Sequence, residues 1–322
     1  MRRRVLEVIQ ETGYKPLHLP QPSQSERSRM SPSRARQIRF CRPETWIDHT
    51  RDNMGKRVWS WRAISVTIMK GMLTDCGISI SAFNCSGNPL APGEWGERER
   101  EVTRKTFQLI VSFGLDTVVT MSGFPAGGPE DKFPNWVVTS WPSEPQAILN
   151  YQWNEATIPC LRETIKEANA FGVSRLTLEP HGCQSVHDAE NFYRLREACG
   201  GNRTIGFNLD PSYLFWMRAD PTTVARVLSD AIYHVHMKDV CIEQPATVNT
   251  LLDGKGVLKF TKRSWNFAVP GYRHDERWWL EFLVTLKMVG YDGVLSIEHE
   301  DYTMDTLEAL QKSGLLLREN RI

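Results

Sequence analysis

The stretch NLDPSYLFWMRADPTTVARVLSDAIYHVHMKDV, residues 208–240, places metal-ligand side chains at the ends of two short apolar runs. Asp210 ends the first run, His236 ends the second, and a segment typical of a helix separates them. In a barrel of alternating strands and helices, reactive side chains lie where a strand ends and the next loop begins. The stretch therefore predicts two neighbouring parallel strands with two metal-ligand side chains on one face of the sheet.

The same alternation extends over most of the chain from residue 63 onward. Short apolar runs rich in β-branched residues alternate with helix-like segments, and they span residues 77–83, 116–123, 175–182, 204–212, 231–240 and 293–301. Each run is apolar almost throughout, as expected of strands covered on both faces. Gly290 follows the segment DERWWLEFLVTLKMV, where a helix C-cap is expected. The pattern predicts repeated right-handed βα units around a parallel sheet.

The N-terminal part departs from this alternation. Residues 15–19 are predicted to form a seventh strand, so a closed eight-stranded barrel either lacks its first strand or replaces it with part of residues 21–75. Residues 1–62 contain 14 Lys and Arg against 6 Asp and Glu, and their Ser/Pro/Arg-rich middle cannot bury enough apolar surface to order itself. We predict an irregular basic N-terminal part over residues 1–75 and a (β/α)8 TIM-type barrel of the α/β class over residues 76–322.

Composition limits the classes of function. The chain has 322 residues, 41% of them hydrophobic, and a net charge of +1, which gives no overall attraction to nucleic acid or to an acidic membrane. We find no apolar run near the roughly 18 to 20 residues that cross a bilayer and no apolar signal-peptide centre, so a cytoplasmic protein is expected. The 7 cysteines are odd in number and show no CxxC spacing, so we expect reduced and mostly buried thiols.

Four of the predicted strands end in side chains that can bind a metal. These are Glu179, Asp210, His236 and Glu298. A single buried carboxylate at a strand end is more often capped or hydrogen-bonded than metal-bound, but four residues at the same relative position favour a metal. Three carboxylates and one imidazole form an oxygen-rich site that suits Mn²⁺, Mg²⁺ or Co²⁺ better than a thiolate-bound zinc.

Blocks of sequence over residues 77–318 resemble the sugar phosphate isomerase/epimerase group, the xylose isomerase-like TIM barrels. The matching blocks are LEPHG, NLDPSYLFW, DAIYHVHMKDV, GYRHDERWW and GYDGVLSIEHED. The resemblance implies one divalent metal held by the four strand-end residues, with Mn²⁺ favoured and Mg²⁺, Co²⁺ or Zn²⁺ as alternatives. It also implies that Glu179 and Glu298 exchange the substrate's proton from opposite sides of a sugar carbon, while the metal stabilises the enediolate.

The resemblance also indicates substrate-binding residues. His181 stands at a spacing that relatives share and is expected to contact the substrate. Tyr213 stands where relatives carry His, so it either packs or contacts the substrate with a phenol. Lys238 could polarise a carbonyl or pair with Asp239.

Two loops supply further candidates for substrate binding. Arg273 replaces a glycine of relatives; it either clasps a phosphate or carboxylate or is solvated. Trp136 and Trp141 lie in the segment FPNWVVTSWP, which resembles a segment that follows the fourth strand in one subgroup. They either form an apolar wall for a sugar face or an aglycone, or pack beneath the loop.

Three functions are consistent with these residues. The first is a metal-dependent isomerase or epimerase of a sugar; the second is a lyase that eliminates across a 3-oxo-glycoside; the third is a non-catalytic barrel descendant. A DNA-repair endonuclease is weaker, because those barrels use more His and Asp ligands for several zinc ions. The expected partner is a small sugar or sugar derivative, with no nucleic acid and no membrane, and the group's barrels often form homo-oligomers.

Overall fold

The computed structural model describes residues 47–51, 57–61, 66–139 and 141–320. The chain divides into two compact units, Met1–Ser79 and Ile80–Ile322. In the first unit, strands β1 (Ile47–Arg51) and β2 (Arg57–Trp61) pair antiparallel with each other, and helix α1 (Val66–Asp75) follows. The strand predicted at residues 15–19 lies outside the described residues.

A curled parallel sheet of six strands forms the centre of the second unit. Its strands are β3 (Phe83–Cys85), β4 (Thr117–Thr120), β5 (Arg175–Leu178), β6 (Ile205–Leu209), β7 (Ile232–Met237) and β10 (Leu295–Ile297). They lie in the order β10-β7-β6-β5-β4-β3, and every neighbouring pair is parallel. The predicted βα units and α/β class are confirmed, and each of the six strands predicted from residue 77 onward overlaps a strand of this sheet.

Helices connect the strands of the sheet and cover it. The helices of the second unit are α2 (Gly93–Phe113), α3 (Glu144–Tyr151), α4 (Ile158–Ala170), α5 (Ala189–Ala198), α6 (Pro211–Trp216), α7 (Pro221–Leu228), α8 (Ala246–Asn249), α9 (Glu276–Met288) and α10 (Thr306–Glu319). A π-helical turn, Gln152–Thr157, joins α3 to α4, and 3₁₀ turns span Ser229–Ala231 and Val257–Lys262. Among the described residues, none of the helices combines the length and apolar content that crossing a bilayer requires.

Helix α9 shows how local sequence sets helix ends. The Asp275 carboxylate accepts a hydrogen bond from the backbone N–H of Trp278, which satisfies one of the free donors of the first turn. At the other end, Gly290 has a φ of +82°, a left-handed conformation that glycine adopts without steric cost. The helix and its closing glycine were both predicted from the sequence.

Two strand predictions were wrong in their bounds. In the run 77–83, Gly77 is left-handed and the backbone N–H of Ile78 bonds to the carbonyl of Leu73, so the run begins by closing helix α1. Strand β3 starts only at Phe83. The run 231–240 is not one strand. Strand β7 ends before Lys238, and the chain continues as β8 (Asp239–Ile242), which pairs antiparallel with β9 (Trp265–Ala268).

The hydrophobic core lies between the sheet and the outer helices. Strands β4 and β6 are buried along their whole length, as their continuous apolar sequences predict, whereas β10 is half-buried. Fully buried side chains of the helices, such as Phe192, Trp279 and Phe282, pack in the same cluster as Phe207 of β6. Burying each such side chain contributes roughly 1.5–3 kcal/mol, which fixes the sheet that carries the strand ends.

The prediction that the cysteines are mostly buried was wrong. Of the six described cysteines, all free thiols, Cys85 alone is buried, whereas Cys76 and Cys183 are exposed. Cys76 directly follows helix α1 and Cys183 lies in the loop after β5, so neither is in the core. Cys41 lies outside the described residues.

Candidate metal centre

The four predicted metal ligands meet at the carboxyl ends of four parallel strands. Glu179 directly follows β5, Asp210 follows β6, His236 lies in β7 and Glu298 follows β10. The parallel register aligns these ends, since β10 residue Ser296 pairs with His236. One ligand atom from each of the four residues lies within 4.8 Å of those of the others, and all four residues are buried.

The imidazole of His236 lies between the two glutamates. Its Nδ1 atom is 2.9 Å from Glu179 Oε1 and 2.8 Å from Glu298 Oε2. Burial lowers the pKa of His236, but the carboxylates of Glu179 and Glu298 outweigh burial and raise that pKa to about 10. At neutral pH this imidazole therefore carries a proton on both ring nitrogens and a positive charge in the metal-free protein.

Asp210 has one oxygen fixed by the protein and one directed to the centre. Its Oδ1 accepts hydrogen bonds from the backbone N–H of Ser212 at 2.8 Å and from the Ser212 hydroxyl at 2.7 Å. Its buried Oδ2 accepts no hydrogen bond from the described residues, and Lys238 Nζ lies 3.2 Å away. Burial raises the pKa of Asp210 to about 7, against the opposing charge of Lys238.

These residues fit a hard divalent cation. The four donors are three carboxylates and one imidazole, the set that Mg²⁺, Mn²⁺ and related ions prefer. In the metal-free protein the positive charge comes from protonated His236 and from Lys238, and Asp210 Oδ2 remains without a hydrogen-bond donor among the described residues. A divalent ion would displace the His236 proton and bind the Asp210 Oδ2 atom, which has an ion-pair contact to Lys238 but no hydrogen bond from the described residues.

Lys238 is the second cation of the centre and is fully buried. Its Nζ lies 3.1 Å from Glu298 Oε2 and donates hydrogen bonds to Glu300 Oε2 at 2.8 Å and to Tyr213 Oη at 3.1 Å. Burial lowers the pKa of Lys238, but the three acidic neighbours outweigh it and hold that pKa well above its ordinary value. The alternative that Lys238 pairs with Asp239 was wrong, because Asp239 instead accepts a hydrogen bond from its neighbour Val240.

Tyr213 contacts Lys238, and His181 packs against Tyr213. Their rings lie 4.4 Å apart, and Lys238 Nζ lies 4.3 Å from the centre of the Tyr213 ring. Burial raises the pKa of Tyr213 well above its ordinary value, so the phenol stays neutral. Burial also lowers the pKa of His181. The structure thus brings two of the predicted substrate-binding residues to the centre as neutral groups.

The remaining predicted substrate-binding residues lie farther out. Trp136 is half-buried and meets the ring of His187 edge-on at 5.8 Å. Trp141 is 80% exposed and lines no wall. Arg273 is exposed; its backbone N–H donates to Asp239 Oδ2 at 3.2 Å, and its guanidinium bonds to none of the described residues. A ligand contact by Arg273 stays a prediction.

Several residues of the centre were missed by the sequence analysis. Asn208 is buried and lies 3.0 Å from His234 Nδ1 and 3.2 Å from His236 Nδ1. Glu300 contacts Lys238 as described above. Glu300 lies two residues after Glu298 but beyond the end of β10 at Ile297, so the alternation of strand side chains does not place it. Asn208 lies in β6 two residues before Asp210, and this spacing places the two side chains on the same face. That spacing was the signal available in the sequence.

An aromatic face lies beside the metal centre, and we define it as Tyr213 and Trp216 with the β9 residues Trp265 and Phe267. The indoles of Trp216 and Trp265 stack at 4.8 Å and 5°. Phe267 meets Tyr213 edge-on at 5.5 Å and lies 4.4 Å from Lys238 Nζ. Gly182 makes room for Trp216, since a Cβ there would lie 2.4 Å from that indole. Lys238 therefore contacts both the metal centre and the aromatic face.

The chain belongs to the xylose isomerase-like TIM barrel family, whose model matches residues 45–320. The "Uncharacterized protein YfiH" of Bacillus subtilis (strain 168) is 45% identical over 245 residues, which are 75% of this chain and 78% of that protein.

Solved structures with 14 to 16% identity share the fold. A xylose isomerase domain protein from Planctomyces limnophilus matches with a TM-score of 0.55 and 16% identity, covering 79% of this chain and 81% of its own. The probable 3-DHS dehydratase AsbF from Bacillus anthracis matches with a TM-score of 0.54 and 14% identity, covering 79% of this chain and 81% of its own. D-psicose 3-epimerase from Clostridium cellulolyticum H10 matches at 0.53 and 14%, covering 81% and 84%.

Proposed function

We propose that this protein is a divalent-metal-dependent sugar isomerase or epimerase. The observation that carries the proposal is the buried group of three carboxylates and one imidazole, whose ligand atoms lie within 4.8 Å of one another at four strand ends. Membership in the xylose isomerase-like family supports it, as does the epimerase among the proteins that share the fold.

The metal would be held by the four residues of the centre, Glu179, Asp210, His236 and Glu298. Mn²⁺ is the favoured ion, because the donors are mostly oxygens with a single imidazole. When bound, it would supply positive charge beside adjacent sugar oxygens, where negative charge develops as a carbon-bound proton is removed. The serine that fixes Asp210 Oδ1 keeps the other carboxylate oxygen, Oδ2, directed toward this position.

Glu179 and Glu298 are the proposed proton carriers. They come from strands β5 and β10, which β6 and β7 separate in the sheet, so they approach the centre from different sides. One glutamate removes the proton from the sugar carbon, and the other returns a proton to the opposite face. Both side chains are buried, so bulk water competes little for the exchanged proton.

The neighbours of the centre are proposed to orient the sugar. Lys238 can donate a hydrogen bond to a substrate oxygen, and its high pKa keeps it charged for that purpose. His181 and Tyr213 offer neutral polar groups beside it, and Trp136 offers an apolar surface farther out. Arg273 remains a candidate for an outer contact.

A lyase acting on a 3-oxo-glycoside is the alternative, and the aromatic face favours it. The partly buried ring of Phe267, which lies 4.4 Å from Lys238 Nζ, would suit the aglycone that such an enzyme releases. The same glutamates would then remove a proton beside the carbonyl, and the leaving group would depart from the adjacent carbon.

A substrate panel in D₂O separates these functions. The Mn²⁺-loaded protein is incubated with ketopentoses, ketohexoses and 3-oxo-glycosides, and products are followed by NMR. An isomerase or epimerase forms the isomer and incorporates deuterium next to the carbonyl, whereas a lyase releases the aglycone. Glu179→Gln and Glu298→Gln should abolish either reaction. Protein that retains no stoichiometric metal and converts none of the panel would instead support a non-catalytic descendant.

A further inference from the structure

Arg263 is a buried cation that packs on the Trp265 ring but has no ion-pair partner among the described residues. The residue is 5% exposed, its Nε atom is buried, and none of the described residues forms an ion pair or hydrogen bond with its guanidinium. Lys238, the other buried cation of this region, has three carboxylates within 3.2 Å. A buried charge without a partner is unfavourable, so Arg263 needs a counterion that the described protein does not provide.

The acidic groups around Arg263 already have partners. The Asp253 carboxylate accepts hydrogen bonds from the backbone N–H and Nζ of Lys255 at 2.9 and 3.0 Å, and from the backbone N–H of Ser264 at 2.6 Å. Glu300 is paired with Lys238. Burial lowers the pKa of Arg263 despite the opposing charge of Asp253, which is consistent with a desolvated guanidinium. The missing partner is therefore expected to be a ligand.

The position of Arg263 links it to the metal centre through the aromatic face. Arg263 is extended (φ −76°, ψ 155°) and precedes β9, so Arg263, Trp265 and Phe267 alternate along one face. Phe267 lies 4.4 Å from Lys238 Nζ, and the guanidinium carbon lies 4.4 Å from the Trp265 ring. With a rise of about 3.3 Å per residue, the backbone at Arg263 lies about 13 Å along the strand from that of Phe267.

We propose that Arg263 binds a carboxylate group of the substrate, so that the substrate is an acidic sugar or a sugar with an acidic substituent. The planar guanidinium presents paired N–H donors that match the two oxygens of a carboxylate. A phosphate usually recruits additional donors, and Arg263 is the one cation of the described residues that is buried here without an ion-pair partner. This inference rests on the proposed function, because it assigns the outer end of the same substrate.

The test follows the guanidinium itself. The Nε–H signal of Arg263 is assigned by NMR as the arginine signal that disappears in Arg263→Gln. Sodium acetate, sodium phosphate and sodium chloride are then titrated at matched ionic strength into protein loaded with Mg²⁺, which is diamagnetic and leaves the signal sharp. Acetate should shift the signal saturably, with an affinity at least about tenfold higher than that of chloride. If acetate shifts the signal no more than chloride does, Arg263 only packs on Trp265 and the proposal is wrong. If phosphate binds more tightly than acetate, the acidic group of the substrate is a phosphate and the carboxylate assignment is wrong.

Variants keep this result separate from folding and from the metal centre. Arg263→Lys retains the charge, and Arg277→Gln removes an exposed arginine of helix α9, so Arg277→Gln should leave the acetate response unchanged. Binding of Mn²⁺, measured on metal-free samples of the same proteins, should stay within about twofold in Arg263→Gln. Loss of the acetate response in Arg277→Gln, or its full retention by a calorimetric measurement in Arg263→Gln, would overturn the assignment. Failure of Mn²⁺ to bind the wild type would instead contradict the proposed function.

Discussion

Lys238 separates two regions of different construction, the metal centre and the aromatic face. The metal centre takes one side chain from each of four strand ends, and its groups meet through charge. The aromatic face comes from helix α6 and strand β9, and its rings meet by stacking and edge contacts. One region therefore brings together donors that suit a cation, whereas the other is an apolar cluster whose Tyr213, Trp216 and Trp265 are buried.

The largest expected effect follows removal of the cation that both regions share. Lys238→Met leaves its buried acidic neighbours without a counterion, so the free energy of unfolding of the metal-free protein should fall by about 3–5 kcal/mol. Mn²⁺ would restore part of the lost charge, so the loss should be smaller in the loaded protein. Urea unfolding with EDTA and with Mn²⁺ measures both values.

Lys312→Met serves as the control for this substitution. Lys312 is a partly exposed lysine that pairs with Glu308 at 2.7 Å one helical turn away. Its removal should change the free energy of unfolding far less than Lys238→Met does, with or without metal, because water screens this pair. If Lys238→Met lowers the free energy of unfolding equally with EDTA and with Mn²⁺, Lys238 does not act as a counterion of the metal centre.

The next effect concerns the support of the metal centre. Asn208 lies beside both His234 and His236, so Asn208→Ala should lower the affinity for Mn²⁺ by roughly 10- to 100-fold through loss of imidazole orientation. Calorimetric titration measures the affinity. Asn202→Ala, which removes an amide that caps the backbone of Thr204, should leave the affinity unchanged. Equal affinities in both variants would remove Asn208 from the site.

The affinity for metal should also depend on pH. The pKa of His236 is raised to about 10 in the metal-free protein, so at pH 8 a bound ion must displace about one proton from this imidazole. The affinity should therefore rise by up to about tenfold per pH unit from pH 8 to 10 and level off above pH 10. Titration calorimetry in two buffers of different ionisation enthalpy counts the released protons. No proton release at pH 8 would contradict His236 as a ligand.

The same shift affects the stability of the metal-free protein. Because the pKa is raised on folding, the protonated imidazole stabilises the fold fully below its unfolded pKa of about 6.5, and this contribution is lost as pH rises through about 10. In urea unfolding with EDTA, the contribution of His236 to the free energy of unfolding should decrease from pH 6 to pH 8 and again to pH 10. His236→Gln should reduce this dependence.

The smallest effect is expected in the aromatic face. Tyr213→Phe removes a hydroxyl that accepts one hydrogen bond from Lys238, which retains its acidic neighbours, so the free energy of unfolding should fall by about 1 kcal/mol. The Mn²⁺ affinity should stay within about twofold. A tenfold loss of affinity would instead place Tyr213 functionally within the metal centre.

The metal centre was easier to predict from sequence than the aromatic face. In a parallel sheet the strand ends lie at one edge, so Asp210 and His236 at the ends of two apolar runs already indicate that their side chains converge. The position of Asn208 follows from the alternation of side chains along β6, whereas Glu300 lies beyond the end of β10 and does not. The positions of the ligands therefore depend on local pattern and on a general property of parallel sheets.

The aromatic face depends on pairing between distant segments. Strand β9 pairs with β8 across more than twenty residues, and the sequence 257–268 shows neither a tight turn nor a long β-branched run to indicate it. The sequence also did not predict that Arg263 is buried and Arg273 exposed. This difference in burial arises only when the hairpin packs against helix α6. Such contacts are set by tertiary packing rather than by local sequence.

The most direct test of the central claim is the stoichiometry of Mn²⁺ binding in the wild type and in two glutamate variants. The account predicts one ion per wild-type chain and an affinity at least about 100-fold weaker in both Glu179→Gln and Glu298→Gln, since losing a ligand should exceed the loss of its supporting residue. Glu300→Gln, which changes a nearby carboxylate outside the proposed ligands, should still bind one ion. Full binding in both glutamate variants would contradict a metal centre formed by these four strand ends.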